Sequence, residues 1–178
     1  MVGPTHLGAA LAAAVWSGMR EPAALAAAGI GALLPDLDCP GSLAGRFVPG
    51  SSLGRIGRFA AGALLAYLGW VRHDRAVLIC GLLVAAAGVL EHRGFLHSLA
   101  ALALTWWAVG RIGVDAEPAL ALGWGSHLAL DLLTPAGVPL LWPWSRRFSL
   151  PVVRTGSWAD RLLGVSFLAA AGWLWFHR

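Results

Sequence analysis

Lysine is absent from the 178 residues, so the formal charge of +4 is carried by arginine alone. Charged residues of both signs make up only 12% of the chain, about half the usual share for a soluble domain. The arginines are scattered at the ends of apolar segments. No basic tract interleaved with aromatics is present, which argues against nucleic acid as a partner. Cysteine is scarce too. Cys39 and Cys80 stand apart, indicating neither a disulfide framework nor a thiolate metal site. No basic stretch precedes the first apolar run, so the N-terminus does not read as a cleavable signal peptide. Internal repeats are lacking, and low complexity goes no further than alanine richness.

What the chain does have is apolar surface. Hydrophobic residues make up 58%, mean hydropathy is +0.69, and there are ten tryptophans. Bilayer is the solvent this composition suits, with indole rings favouring the headgroup zone. Seven apolar segments can be marked, at 4–18, 22–34, 59–71, 76–91, 96–113, 118–133 and 162–177. Their Ala, Leu, Gly and Val content is that of membrane helices packed through small residues. Several fall short of the roughly 20 residues needed to cross a bilayer upright. The expectation is all-α: a polytopic membrane bundle of about seven short helices, forming one membrane-embedded domain over residues 1–178.

Ionisable side chains beside such segments are costly and usually kept for function. Here they are His6, Asp36 with Asp38, His92 with His97, and His127 with Asp131. Threading the segments up and down brings all of them to one membrane face. Imidazole nitrogen plus carboxylate oxygen, without thiolate, suits a hard-to-borderline divalent ion such as Zn²⁺. Taken singly, the motifs have plainer readings. His127 and Asp131, four apart on one helix face, fit an intrahelical hydrogen bond as readily as chelation. Asp36 and Asp38 follow Pro35 and could be turn residues. His92 and His97 are five apart, which a continuous helix splays by about 140°; Gly94 is expected to break the helix and turn both rings inward. Arg93 between them offers a planar fork suited to phosphate. His73 and His177 thread to the opposite face. Eight arginines lie on the site's side and five on the other, which favours a cytoplasmic site.

The chain resembles the YdjM-type family of membrane-bound, metal-dependent hydrolases, inner-membrane proteins of bacteria with archaeal relatives. The shared marks are Thr5-His6-Leu7, Leu33-Leu34-Pro35-Asp36-Leu37-Asp38, His92-Arg93-Gly94-Phe95-Leu96-His97-Ser98, Ser126-His127 through Asp131, and Leu133-Thr134-Pro135-Ala136-Gly137-Val138 continuing to Pro143. That family is similar in turn to zinc-dependent phospholipase C and P1 nuclease. The resemblance implies a zinc-type hydrolase site with His6, Asp36, His97, His127 and Asp131 as metal ligands. Asp38, His92 and Arg93 would be the catalytic or substrate-contacting residues. Two positions depart from the family pattern: Leu96 stands where threonine is usual, and Asp160 where a glutamate is common.

The expected activity is metal-assisted hydrolysis of a phosphate ester such as a phospholipid headgroup. Arg146 or Arg147 would join Arg93 in neutralising phosphoryl charge. Membrane lipid is the expected partner. A non-catalytic membrane protein with a structural metal that binds a partner is the alternative. A transporter fits less well, because transporter ligands sit on broken helices near mid-membrane.

Overall fold

The computed structural model describes residues 1–39, 41–43, 45, 54–90, 93–110 and 116–177. Among them are seven α-helices: α1 (Gly3–Trp16), α2 (Pro22–Leu33), α3 (Gly54–Val71), α4 (Arg75–Val89), α5 (Leu99–Gly110), α6 (Glu117–Leu132) and α7 (Trp158–His177). Two short 3₁₀ turns, Leu34–Asp38 and Phe95–His97, complete the helical structure. The only extended pairing among the described residues is an isolated antiparallel bridge between Val138 and Phe148. The fold is all-α.

Local chemistry sets the boundaries. Proline lies in the first turn of α1, α2 and α6, where its missing N–H costs no helical bond. The Asp74 carboxylate caps α4 by accepting from Val77 N at 3.1 Å, and Ser98 Oγ caps α5 through Ala101 N at 3.2 Å. Two helices begin earlier than their apolar runs suggest. α3 starts at Gly54 rather than 59, because Arg58 turns inward and is buried to 2% exposure instead of ending the helix. α7 starts at Trp158 rather than 162, with Ser157 Oγ accepting from Asp160 N. The apolar run expected at 96–113 is divided, because Ser98 separates the Phe95–His97 turn from α5.

Small residues bring the helices together. α3 and α4 form a hairpin in which a Cβ on Gly62 would lie 2.1 Å from Ala85 N, and one on Gly81 2.2 Å from Ala66 N. α6 packs on α2 as closely: a Cβ on Gly123 would meet Ala28 O at 1.9 Å. α1 lies against α2, α6 and α7. Backbones approach this way where dispersion between helices, rather than expulsion of water, holds them.

The exterior is apolar along much of its length, with Leu64, Tyr67, Leu82, Leu104, Val165 and Leu168 exposed. Even so, no described helix is long and apolar enough to cross a membrane. The longest, α7, has 20 residues but carries Asp160 and Arg161 in its first turns.

Candidate metal centre

Four separate elements supply the site. His6 stands in the first turns of α1, Asp36 in the turn that ends α2, and His97 in the turn that precedes α5. His127 and Asp131 share one face of α6. His6, His97 and His127 are fully buried, and Asp131 is 1% exposed.

His127 is the centre of the cluster. Its Nδ1 donates to Ala32 O at 2.7 Å, which leaves the Nε2 lone pair facing inward. That Nε2 lies 3.3 Å from His97 Nε2, 3.7 Å from Asp131 Oδ2 and 3.8 Å from Asp36 Oδ1. His97 Nε2 is 3.7 Å from both carboxylates. His6 stacks on His127 with ring centroids 3.7 Å apart and planes 14° from parallel. Its Nε2 is 3.4 Å from Asp131 Oδ1, and neither of its ring nitrogens makes a hydrogen bond among the described residues. Two triads meet the spacing of a metal site: His6, His127, Asp131 and Asp36, His97, His127, the donor atoms of each lying within 4.8 Å of one another. Donors about 2.0–2.1 Å from a tetrahedral ion stand about 3.3 Å apart, close to the separations found here.

The charges cohere without an ion only in part. Burial would push the Asp36 carboxyl up, but the His97, His127 and His6 rings gathered round it outweigh that and hold it at about 2. Asp36 is therefore anionic at any physiological pH. Asp131 receives the Met1 nitrogen on Oδ1 and the Arg93 guanidinium on Oδ2, the latter at 3.1 Å. Three inward-facing imidazoles and two carboxylates gathered in one place could hold a divalent cation.

Arg93 closes the site on the loop side. Its Nη1 donates to Thr134 Oγ1 at 3.3 Å and to Gly137 O at 3.4 Å. The residue itself adopts a left-handed backbone, φ 58°, which a non-glycine residue holds only when its surroundings enforce it. Gly94, the expected chain breaker, is non-helical at φ −95° and ψ −127°, and the Phe95–His97 turn begins directly after it. The left-handed residue is Arg93, held there by the three groups that its guanidinium engages. Asp38 is buried in the Asp36 turn but stands outside both triads. His92 lies outside the described residues. His73 and His177 are exposed and distant in the fold, the latter stacked on Trp173.

Sequence reasoning missed several supports. Trp124, fully buried on α6, donates Nε1–H to Leu96 O at 3.2 Å and so fixes the turn that carries His97. Leu96 itself packs in the apolar core, so a hydroxyl at that position would point away from solvent and into hydrocarbon. Asp160, fully buried, accepts from Thr5 Oγ1 at 2.8 Å, Val2 N at 3.1 Å and Gly156 N at 2.8 Å. It thereby fastens the start of α1, one residue before His6. A backbone carbonyl such as Ala32 O leaves no mark in a sequence. Thr5 and Asp160 stand among the positions that carry the family resemblance, but nothing in the sequence pairs them, and Trp124 shows only as an amphipathic group within an apolar run.

The inner membrane protein YdjM of Escherichia coli (strain K12) is 39% identical over a stretch covering 49% of this chain and 50% of that protein. The protein of the same name from Shigella flexneri matches to the same extent. The match thus spans about half the length of these curated relatives. An uncharacterized Bacillus subtilis (strain 168) protein, YvsG, is 29% identical over 92% of this chain and 87% of its own. No solved structure matches. The family described as YdjM inner membrane protein matches residues 1–177, and the chain belongs to that family.

Proposed function

We propose that the protein is a divalent metal-dependent hydrolase of the bacterial inner membrane, with zinc the best-fitting ion and a phosphate ester, such as a phospholipid headgroup, as substrate. One observation carries the reading: two buried His/Asp triads share His127 and lie beside an arginine fork. Because His127 Nδ1 is committed to Ala32 O, only Nε2 is left to ligate. The two triads therefore describe one ion with donors from His6, His97, His127, Asp36 and Asp131, rather than two independent ions.

When bound, a zinc-type ion acts as a Lewis acid and brings the pKa of a coordinated water to about 7. The chain's own residues supply the rest. Asp36 and Asp131 are the permanent anions that balance the cation. Asp38, buried two residues beyond Asp36, is assigned to orienting the attacking water or accepting its proton, and His92, next to Arg93 in the sequence, to contacting substrate. Arg93 presents its guanidinium toward the loop and would engage phosphoryl oxygens, as its planar fork suits.

Membrane seating is supported by the aromatics. Trp16, Trp70, Trp106, Trp107 and Trp173 are exposed near the C-terminal ends of α1, α3, α5 and α7, whereas Trp142, Trp144 and Trp158 are exposed near the site. Arg20 following α1 hydrogen-bonds Trp175 O near the end of α7, so those ends coincide. Two aromatic zones of this kind are what a bilayer-seated protein presents. The arginine count, eight against five, favours a site on the cytoplasmic side. With the native cysteines replaced by serine, single cysteines at Ser145 and Asp74 should label from opposite sides; labelling of both from one side refutes that topology.

A second reading has its own observation: three ligand histidines are wholly buried, as in the closed coordination of a structural metal. Metal analysis followed by a screen of phosphate esters and phospholipids separates the two. Stoichiometric zinc with turnover supports the hydrolase. Zinc without turnover, with a sharp loss of thermal stability on chelation, supports a structural centre that serves a partner-binding protein. Folded, chelator-free protein without transition metal overturns both.

A further inference from the structure

Three hollows lie in series along one side of the molecule. The first, about 400 Å³, is lined by Met1, Asp36, Ser42, Arg93 and Thr155 and opens onto the metal centre. The second, about 380 Å³, is lined by Arg93, Phe95, Trp142, Trp144 and Arg147. The third is an apolar groove of about 570 Å³ between α4 and α5, lined by Leu78, Leu82, Ala86, Leu104 and Trp107, with Phe95 among its walls. Arg93 is thus the shared wall of the first and second hollows, and Phe95 of the second and third. The Phe95 ring packs edge-on against Trp142, with centroids 5.0 Å apart.

We propose that these three hollows form one elongated binding site for an anionic membrane phospholipid, with one acyl chain in the α4–α5 groove, the phosphate between Arg93 and Arg147, and the headgroup ester at the metal centre. This rests on the hydrolase reading of that centre and adds the substrate class and its orientation. The groove wall runs from Arg75 to Ala86 on α4, about 16 Å at 1.5 Å per residue. A groove of that length accommodates one extended acyl chain laid along α4. Two arginines and two tryptophans line the middle hollow. That lining matches a phosphate at the membrane interface. The groove cannot select by hydrophobicity, since surrounding lipid tails are equally apolar. It orients the lipid, and selection falls to the arginines. Occupancy of the groove must then depend on headgroup charge.

The test needs neither metal nor turnover. The full-length protein is reconstituted in phosphatidylcholine vesicles containing a small fraction of phosphatidylglycerol with a diazirine in one acyl chain. After photolysis, labelled peptides are mapped. Labelling of Leu78–Ala86 and Leu104–Ala108 should exceed several-fold that of the exposed apolar positions Leu64 and Leu168. Unlabelled phosphatidylglycerol should compete, and diacylglycerol should not. Arg147→Gln, an exposed substitution that leaves the fold intact, should reduce groove labelling several-fold, as should Ala86→Trp by filling the groove. Even labelling over all apolar faces, or groove labelling that diacylglycerol displaces equally well, overturns the proposal. Groove labelling without phospholipid turnover would count against the hydrolase reading alone. Turnover without groove labelling would count against this proposal alone.

Discussion

The α3–α4 hairpin and the α2–α6 pair use the same packing device for different ends. In both, glycine lets two backbones come within a distance that no Cβ tolerates: Gly62 and Gly81 in the hairpin, Gly31 and Gly123 in the pair. The hairpin carries none of the ligands. The pair carries two of the candidate ligands, His127 and Asp131, and α2 runs directly into the turn that bears Asp36; one of its backbone carbonyls, Ala32 O, fixes the tautomer of His127. Close packing in the hairpin therefore serves chiefly its own cohesion, although α4 also rests against the Asp36 turn. In the α2–α6 pair it sets the distance between His127 and Asp36, a matter of tenths of an ångström for metal binding.

The largest expected effect follows from this difference. Gly123→Val pushes a branched side chain into Ala28 O and should destabilise the protein by about 3 kcal/mol, the upper range for overpacking. It should also abolish metal binding, because α6 must move away from α2 and take His127 with it. Gly62→Val meets an equally close backbone, yet should leave metal stoichiometry unchanged while lowering thermal stability. Elemental analysis beside a melting curve in detergent reads both. Equal metal loss in the two variants would break the distinction between the regions.

Next in size are the charges at the centre. Asp131→Asn keeps the shape of the side chain but removes the anion that faces His6, His97, His127 and Arg93. Metal affinity should fall more than about 100-fold, beyond the loss typical for a supporting residue, and any phosphoesterase activity should vanish with the helices still assembled. Arg93→Lys should act more gently. Metal stays bound, while the loss of charge-assisted bonds that an ammonium cannot reproduce weakens phosphate engagement by about 10-fold. Metal content against KM distinguishes the two variants. Should Arg93→Lys lose metal as Asp131→Asn does, the guanidinium serves to hold the cluster together rather than to meet substrate.

The donor residues were legible because side-chain types survive in a sequence and alternating segments place their ends predictably. His6, Asp36, His97, His127 and Asp131 each sit at or near a segment end on the same threading face, and the structure brings these five together. Helix limits were less legible where an arginine or aspartate lies inside a helix. Arg58 and Asp160 look like termini in a hydropathy reading, but each is buried and enclosed. The break before α5 was visible through Gly94, though the strained residue beside it was not. Gly94 carried the composition signal, whereas Arg93 takes the positive φ because Asp131, Thr134 and Gly137 hold its guanidinium from another part of the chain. Long-range restraint of that kind has no local trace.

The smallest effect tests how α1 is anchored, where the same contrast between cohesion and site geometry recurs. Thr5 Oγ1 lies 2.8 Å from Asp160 Oδ1 and 3.0 Å from Asp160 O. Thr5→Val keeps the volume and removes the hydroxyl. The buried carboxylate retains the Val2 and Gly156 N–H donors, so the loss should be about 1–2 kcal/mol rather than the full cost of an orphaned charge. For a chain of this length each kcal/mol lowers Tm by about 2–4 °C. Because His6 follows Thr5 directly but α1 is also held by α2 and α6, metal affinity should decline by less than about 10-fold, a shift smaller than supporting residues commonly produce. Asp160→Ala removes the acceptor from all three donors and should cost more on both readouts. If Thr5→Val releases metal as completely as Asp131→Asn, then the Thr5–Asp160 contact, and not the packing of α1 on α2 and α6, is what positions His6.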